Sequence, residues 1–310
     1  MSRAPGSSLD VIGFIGLGAM GAGMAGCLLR QGYPLKVFAR EAHAVQALVD
    51  QGAVAGTSSA DVGRGSAIVF LSLPDDAVVR EVLFGDDGLV HGLAAGSTVV
   101  DTSTIAAASA REFAGALAAR GIAFVDAPVS GGQQGAADGV LSCMVGGETA
   151  AVDACREALG AFCKSVLHVG GVGAGQVVKA CNQVAVAGAL LGVADAIALA
   201  QAEGVDLAQM REALLGGAAR SFSLEKHAPR IAAKQFTPGF RAVLMRKDLR
   251  LALQGAQGTG TLLPTAALAE QLLDALCESG RADWDWAALA LQVQALSGKA
   301  LPEHRESSAS

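Results

Sequence analysis

Residues 11–40 read VIGFIGLGAMGAGMAGCLLRQGYPLKVFAR, and they choose among architectures more sharply than any other segment. An apolar run (VIGFI) leads into Gly16-Leu17-Gly18-Ala19-Met20-Gly21, then a helical stretch, then a second apolar run (LKVFA). Strand, glycine turn, helix and strand within about thirty residues are the arrangement that holds a dinucleotide. Gly16 permits the tight turn, Gly18 lets the backbone approach a pyrophosphate, and Gly21 lets helix and strand pack closely. The helix N-terminus adds N–H donors and positive potential. In a chain with 40 glycines the glycine spacing alone says little, so the weight lies on its position between strand and helix. At the end of the second strand, where an NAD site usually carries Asp or Glu, stand Ala39-Arg40-Glu41. Arg40 can pair with a 2′-phosphate in a planar fork, which favours NADP over NAD. The alternatives are a solvated Arg40, and a Glu41 that reaches the ribose or simply starts the next helix.

Working outward, short β-branched runs recur at Val11–Ile15, Leu35–Phe38, Ile68–Leu73, Thr98–Asp101, Ile122–Val125, Leu141–Val145 and Val166–Val169. Helical periodicity fills most of the gaps, as at Asp76–Leu83 and Ala106–Ala119. Alternation of this kind predicts an α/β fold with an N-terminal Rossmann-type, doubly wound and mainly parallel sheet. After about Gly171 the strand signals cease. A long helix over Ala174–Glu203 and several shorter ones up to about Leu296 predict an all-α C-terminal domain, joined to the first by that long interdomain helix. The expected division is a dinucleotide-binding domain over 11–170 and a helical substrate and oligomerisation domain over 171–300. The polar ends, 1–10 and 301–310, are expected to be disordered tails.

The composition narrows the classes. The chain has 310 residues, of which 52% are hydrophobic and only 4% aromatic, so its interior is built from Ala, Val, Leu and Gly. A net charge of −6 offers no bulk attraction to nucleic acid or an anionic membrane. The six cysteines have no metal-like spacing and read as small buried residues of a reducing compartment, the cytoplasm by default. None of the five histidines has a partner at ligand spacing, so no metal site is expected. Asp10 and the regular glycines argue against a signal peptide at the N-terminus. The apolar run Val184–Ala200 contains Asp195 and is rich in Ala and Gly, which reads as a helix buried between domains or subunits.

Further along, Ser130-Gly131-Gly132 follows a predicted strand, at the end where open α/β sheets bind ligands. A hydroxyl beside two consecutive glycine N–H groups can form an anion nest, although a flexible turn has the same composition. Lys179 and Asn182 lie three apart on a predicted helix and share a face. Both interrupt an apolar segment just past the domain boundary. A lysine so placed can stabilise a developing alkoxide and supply its proton, while Asn182 can donate hydrogen bonds to substrate or lysine. Cys181 falls on another face of that helix and reads as packing.

Taken in order, GFIGLGAMGAGMA, SLPDDAVVREVLFG, VDTST, DAPVSGG, GAGQVVKACNQ and FTPGFRAVLMRKDLRLAL resemble the β-hydroxyacid dehydrogenase family from about Val11 to Leu296. Within it the likeness is greatest to the tartronate semialdehyde reductases. The resemblance implies an NAD(P)-dependent oxidoreductase that converts a small carboxylate-bearing semialdehyde and its hydroxy acid. It implies that Leu73 and Pro74 line the cofactor cleft and that Thr104 contacts the nicotinamide side. Ser130, Gly131 and Gly132 would bind the substrate carboxylate, and Lys179 and Asn182 would be catalytic. Lys247 would reach cofactor or substrate, with Asp248 orienting its neighbours; on residues alone, a plain surface ion pair is the favoured reading of these two. It further implies a homodimer or homotetramer. Arg220, Phe222, Trp284 and Trp286 depart from the usual pattern and bear on the pocket if their turn faces it. An imine reductase or reductive aminase is the alternative enzyme, which Lys179 opposes, and Cys181 opposes a 6-phosphogluconate dehydrogenase. A cofactor-binding interaction protein without activity is the remaining reading.

Overall fold

A computed structural model describes residues 11–298; both predicted tails lie outside the described residues. The chain divides into one unit ending at Lys179 and a second beginning at Ala180.

The first unit alternates strands and helices as its periodicity demands. In order come β1 (Ile12–Ile15), α1 (Gly21–Arg30), β2 (Leu35–Phe38), α2 (Ala42–Val49), β3 (Val54–Ala55), α3 (Ser59–Gly63), β4 (Ile68–Leu71), α4 (Asp76–Phe84), β5 (Thr98–Asp101), α5 (Ala107–Ala118) and β6 (Ala123–Asp126). Then follow β7 (Val129–Ser130), α6 (Gly132–Asp138), β8 (Leu141–Gly146), α7 (Thr149–Leu159), β9 (Cys163–Gly170) and α8 (Ala174–Ala202), which runs into the second unit. The sheet order is β3-β2-β1-β4-β5-β6-β8-β7, with β9 paired to β8. From β3 to β6 every pairing is parallel, whereas β8 runs antiparallel to β6 and β7. Strand residues alternate between two cores: Phe14, Phe70, Val100 and Val125 face one, and Ile15, Val69, Leu71, Val99 and Phe124 the other. A parallel sheet covered on both faces needs such nearly continuous apolar strands.

All seven expected strands are present. β4 stops at Leu71 rather than Leu73: the Ser72 N–H still bonds to the Ile15 carbonyl, but the Leu73 N–H leaves the ladder for Ser103 Oγ. The two-residue strands β3 and β7 were not anticipated, since they are too short to show a period. One expectation about the cysteines is corrected: five are buried, but Cys181 is exposed.

Beyond Ala180 the chain is helical: the rest of α8, α9 (Leu207–Leu215), α10 (Ala228–Ala232), α11 (Ala242–Gln257), α12 (Pro264–Leu276) and α13 (Leu289–Leu296). By length and composition α8 could cross a membrane, yet its Ala187, Leu190, Leu191, Ala194 and Ile197 are buried in the core of this unit. Trp286 lies in the same core, and Trp284 stacks on Phe236. Phe222 is 65% exposed and meets the ring of His227 edge-on. Buried Asp285 accepts the backbone N–H groups of Gly239 and Phe240 and pairs with Arg230 at 3.0 Å, which pins the FTPGF loop ahead of α11. Burial holds His227 below the usual histidine range, so it is neutral within this cluster.

Candidate active site

The turn between β1 and α1 has the shape its glycines predict. Gly16 has φ +93°, and a Cβ there would lie 2.2 Å from the Ser72 carbonyl oxygen. A Cβ on Gly21 would lie 1.9 Å from the carbonyl oxygen of Gly16, so no side chain fits at either position. Gly18 differs: it is exposed, and a Cβ would meet nothing within 4 Å. The tight residues build the turn, and the open one stands beside the N-terminus of a ten-residue helix, the kind of position where backbone N–H groups can meet an anion. Ala19 and Met20 complete this loop, while the Leu17 side chain is buried in the core beneath and offers only its backbone. Arg40 is exposed just past β2, and Glu41 stands at the start of α2 without capping it through its side chain.

The carboxyl ends of β4, β5 and β6 are tied together by residues that local sequence did not single out. Ser103 Oγ accepts the Leu73 N–H at 2.8 Å, joining the loop that carries Leu73 and Pro74 to the loop that carries Thr104. Gln176, on the first turn of α8, grips the second loop on both sides of Thr104. Its Nε2 donates to the Ser103 carbonyl at 2.8 Å, and its Oε1 accepts the Ile105 N–H at 3.2 Å. Buried Asp126 accepts the N–H groups of Gly173 (2.7 Å) and Gln176 (2.9 Å), which anchors the start of α8 with a negative charge where the helix dipole favours one. Burial pushes the Asp126 carboxyl up, opposed by those N–H bonds. Asp101, opposite Asp126 across β5 and β6, is pushed up to about 7 by burial, partly offset by its bonds from Ser103.

One turn beyond Gln176, Lys179 is only 7% exposed, and its Nζ donates to the Val129 carbonyl at 2.9 Å. The ammonium therefore lies beside the peptide that leads into Ser130. Gly131 and Gly132 follow with φ +138° and +70°, backbone conformations that favour glycine. Candidates from three stretches far apart in sequence (Thr104, Ser130 to Gly132, and Lys179) thus share one end of the first unit. Asn182 and Lys247 belong to a second group. On α8, Asn182 Nδ2 donates to Gln183 Oε1 at 2.8 Å, and Gln183 Nε2 donates to Asp248 Oδ2 at 2.6 Å. Asp248 Oδ1 pairs with Lys247 Nζ at 3.1 Å. Asp248 is buried, so this pair is not the surface ion pair that composition alone permits. Gln176 and Gln183 were missed, although each lies within the quoted GAGQVVKACNQ, three before Lys179 and one after Asn182.

Two family descriptions match in tandem: the NAD binding domain of 6-phosphogluconate dehydrogenase over residues 11–170, and the NAD-binding of NADP-dependent 3-hydroxyisobutyrate dehydrogenase over 173–293. The chain is 39% identical over 285 residues to 2-hydroxy-3-oxopropionate reductase of Escherichia coli, covering 92% of this chain and 96% of that protein. It is 39% identical over 285 residues to NAD-dependent L-serine dehydrogenase of Pseudomonas aeruginosa, covering 90% and 96%. Among solved structures, 3-hydroxyisobutyrate dehydrogenase of Mycobacterium tuberculosis with L-serine superposes with a TM-score of 0.85 at 29% identity, over 92% of this chain and 99% of the other. With matches over nearly all of its described length, the chain belongs to the β-hydroxyacid dehydrogenase family and is a nicotinamide-dependent oxidoreductase.

Proposed function

We propose that the protein reduces a small carboxylate-bearing semialdehyde of the tartronate semialdehyde type to its hydroxy acid, or runs the reverse, using NADP(H) in preference to NAD(H). The observation that carries this reading is the buried Lys179, with Nζ 2.9 Å from the Val129 carbonyl and Ser130 next in the chain. Reduction of a carbonyl needs a hydride at carbon and a proton at oxygen, and a bound nicotinamide supplies the hydride. Lys179 holds the developing alkoxide by its charge and gives it the proton; as the free amine it takes that proton back in oxidation. Ser130 and the N–H groups of Gly131 and Gly132 receive the carboxylate, and Asn182, one turn along α8 from the lysine, orients the reacting oxygen. The loop of Gly16, Leu17, Gly18, Ala19, Met20 and Gly21 would hold the pyrophosphate, Leu73 and Pro74 would line the cofactor cleft, Thr104 would contact the nicotinamide side, and Arg40 would pair with the 2′-phosphate. Lys247 reaches the cofactor or the substrate. On this reading the first domain (11–170) takes the cofactor and, at Ser130, Gly131 and Gly132, the substrate carboxylate, while the second (171–300) contributes Lys179, Asn182 and Lys247. The relatives named for 2-hydroxy-3-oxopropionate and for L-serine support a short substrate with a carboxylate and an oxygen on the third carbon. The same reading takes the protein as a cytoplasmic homodimer or homotetramer, with no metal.

The test is turnover of tartronate semialdehyde, 3-hydroxyisobutyrate and L-serine with each nicotinamide cofactor, repeated for Lys179→Ala and Lys179→Arg. The alanine variant loses about 10²–10⁴ in kcat, with cofactor affinity in a fluorescence titration unchanged. Arginine does not restore the rate, because a guanidinium keeps its charge but scarcely gives up a proton. Normal turnover by Lys179→Arg reduces the lysine to an electrostatic anchor, and full activity of Lys179→Ala overturns its assignment.

A further inference from the structure

Asp101 and Asp126 are register partners on the parallel strands β5 and β6, and both are 0% exposed. Register partners carry their side chains on one face, so two carboxyls share a dry site at the ligand end of the sheet. Their hydrogen bonds differ. Asp126 accepts an N–H on each oxygen, from Gly173 on Oδ1 at 2.7 Å and from Gln176 on Oδ2 at 2.9 Å, which suits an anion. Asp101 accepts the Ser103 N–H on Oδ1 at 2.9 Å, while its buried Oδ2 has no partner. Two carboxyls in one buried site do not both ionise readily, and the one with a bare oxygen takes the proton. Burial pushes the Asp101 carboxyl up to about 7, in agreement with that assignment. The same residue is tied to both loops assigned to the nicotinamide end of the cleft. Ser103, which bonds Asp101, accepts the Leu73 N–H at 2.8 Å, and its carbonyl accepts the Gln176 amide at 2.8 Å; Thr104 is next in the chain. The other charged groups around it are Asp75 and Asp76 at the start of α4, Arg111 of α5 beside Gly173, and Lys179 one turn beyond Gln176. β4, its other neighbour in the sheet, has no titratable residue.

We infer that Asp101 is a redox-linked proton site: it keeps its proton beside a reduced, neutral nicotinamide and gives it up to solvent beside an oxidised, positive one. This rests on the cofactor reading given above, with Thr104 on the nicotinamide side. A positive charge in low-dielectric surroundings favours the ionised form of a nearby carboxyl, and no direct contact is needed. The balance is one proton for one charge: NADP+ binding releases the Asp101 proton, and Asp101 takes a proton back once hydride transfer has made the ring neutral. By linkage, the affinity for the oxidised cofactor rises with pH relative to that for the reduced one. A carboxyl that only braced the loops would respond equally to both.

The test is a proton count on binding, by titration calorimetry at pH 7 with NADP+ and with NADPH in buffers of different ionisation enthalpy. The 2′-phosphate is common to both members of the pair, so its own titration cancels in the difference. A tenfold gain in acidity, starting from about 7, releases about 0.4 proton at pH 7. The wild type therefore releases about 0.4 proton more with NADP+ than with NADPH. Its Kd ratio, NADPH over NADP+, rises about tenfold through a single titration near neutral pH. Lys179 is the other group that a positive ring could make more acidic, and Lys179→Ala controls for it. The inference stands only if the difference persists in Lys179→Ala and is lost in Asp101→Asn; any other pattern overturns it. Should Asp101→Asn fail to fold, infrared difference spectra of Lys179→Ala decide. NADP+ must then remove a protonated-carboxyl band that NADPH leaves in place, and an unchanged band overturns the inference. Tight binding of both forms with equal proton counts overturns the proton site alone, whereas binding of neither overturns the cofactor reading beneath it.

Discussion

Asp101 shows how a single residue sets a stability cost at the functional end of the sheet. Its Oδ1 accepts the Ser103 N–H at 2.9 Å, but its buried Oδ2 has no partner. Desolvation of the charged form, with Asp126 on the neighbouring strand, raises its pKa from 3.8 to about 7. The folded protein then holds a proton that the unfolded chain has released. The stability this group contributes is complete below pH 3.8 and is lost as pH rises to about 7. Asp101→Asn removes the titration. Measured by denaturant unfolding at a series of pH values, the wild type declines relative to the variant across that window by at most about 4 kcal/mol, and the difference is level above it. A difference independent of pH refutes the assignment. Two aspartates quoted in motifs, Asp101 in VDTST and Asp126 in DAPVSGG, thus have structural duties that their strand-end positions did not distinguish.

At the scale of elements, the glycine loop makes two opposite demands on the same residue type. Gly21 cannot carry a Cβ, because one would lie 1.9 Å from the backbone of Gly16, whereas Gly18 faces open space. Gly21→Ala must shift α1 off the sheet, at a cost of about 1–3 kcal/mol or more, read as a fall in melting temperature without any ligand. If the pyrophosphate approaches Gly18 as proposed, Gly18→Ala leaves that temperature within a few degrees but weakens NADPH binding at least tenfold in a fluorescence titration. Equal effects of the two on the unliganded protein would show that Gly18 serves packing instead. The helix pair α1 and α6 has a similar close contact at Gly23, whose Cβ would lie 2.9 Å from the backbone of Ala136 and Ala137.

For the whole molecule, cofactor binding is a stability term, since a ligand that binds only the folded state raises the free energy of unfolding. With NADPH at 100 times its Kd the gain is about 2.7 kcal/mol. If Arg40 pairs with the 2′-phosphate, Arg40→Ala weakens NADPH binding by about ten- to a hundredfold. At the same NADPH concentration the gain then drops to about 1.4 kcal/mol or less. The stabilisation by NADH is unchanged in the variant. Thermal unfolding of wild type and variant with each cofactor gives the result directly, and an equal loss for both cofactors removes Arg40 from the phosphate site.

The sequence by itself determined what depends on neighbours along the chain. Short, nearly continuous apolar runs became β1, β2, β4 and β5 within one or two residues, and Gly16, Gly18 and Gly21 were legible because turn, approach and packing each restrict one position. Helical spacing placed Lys179 and Asn182 three apart on α8 before any contact was known. Only the tertiary structure decided what those side chains meet. Lys179 finds its acceptor 50 residues earlier, Gln183 finds Asp248 65 residues later, and Gln176 reaches back 73 residues to the Ser103 carbonyl. Cys181, read as packing, emerged exposed for the same reason. Periodicity records which face of an element is apolar, but which partner covers that face, and which buried amide turns toward which carboxylate, is set by the packing of elements distant in sequence.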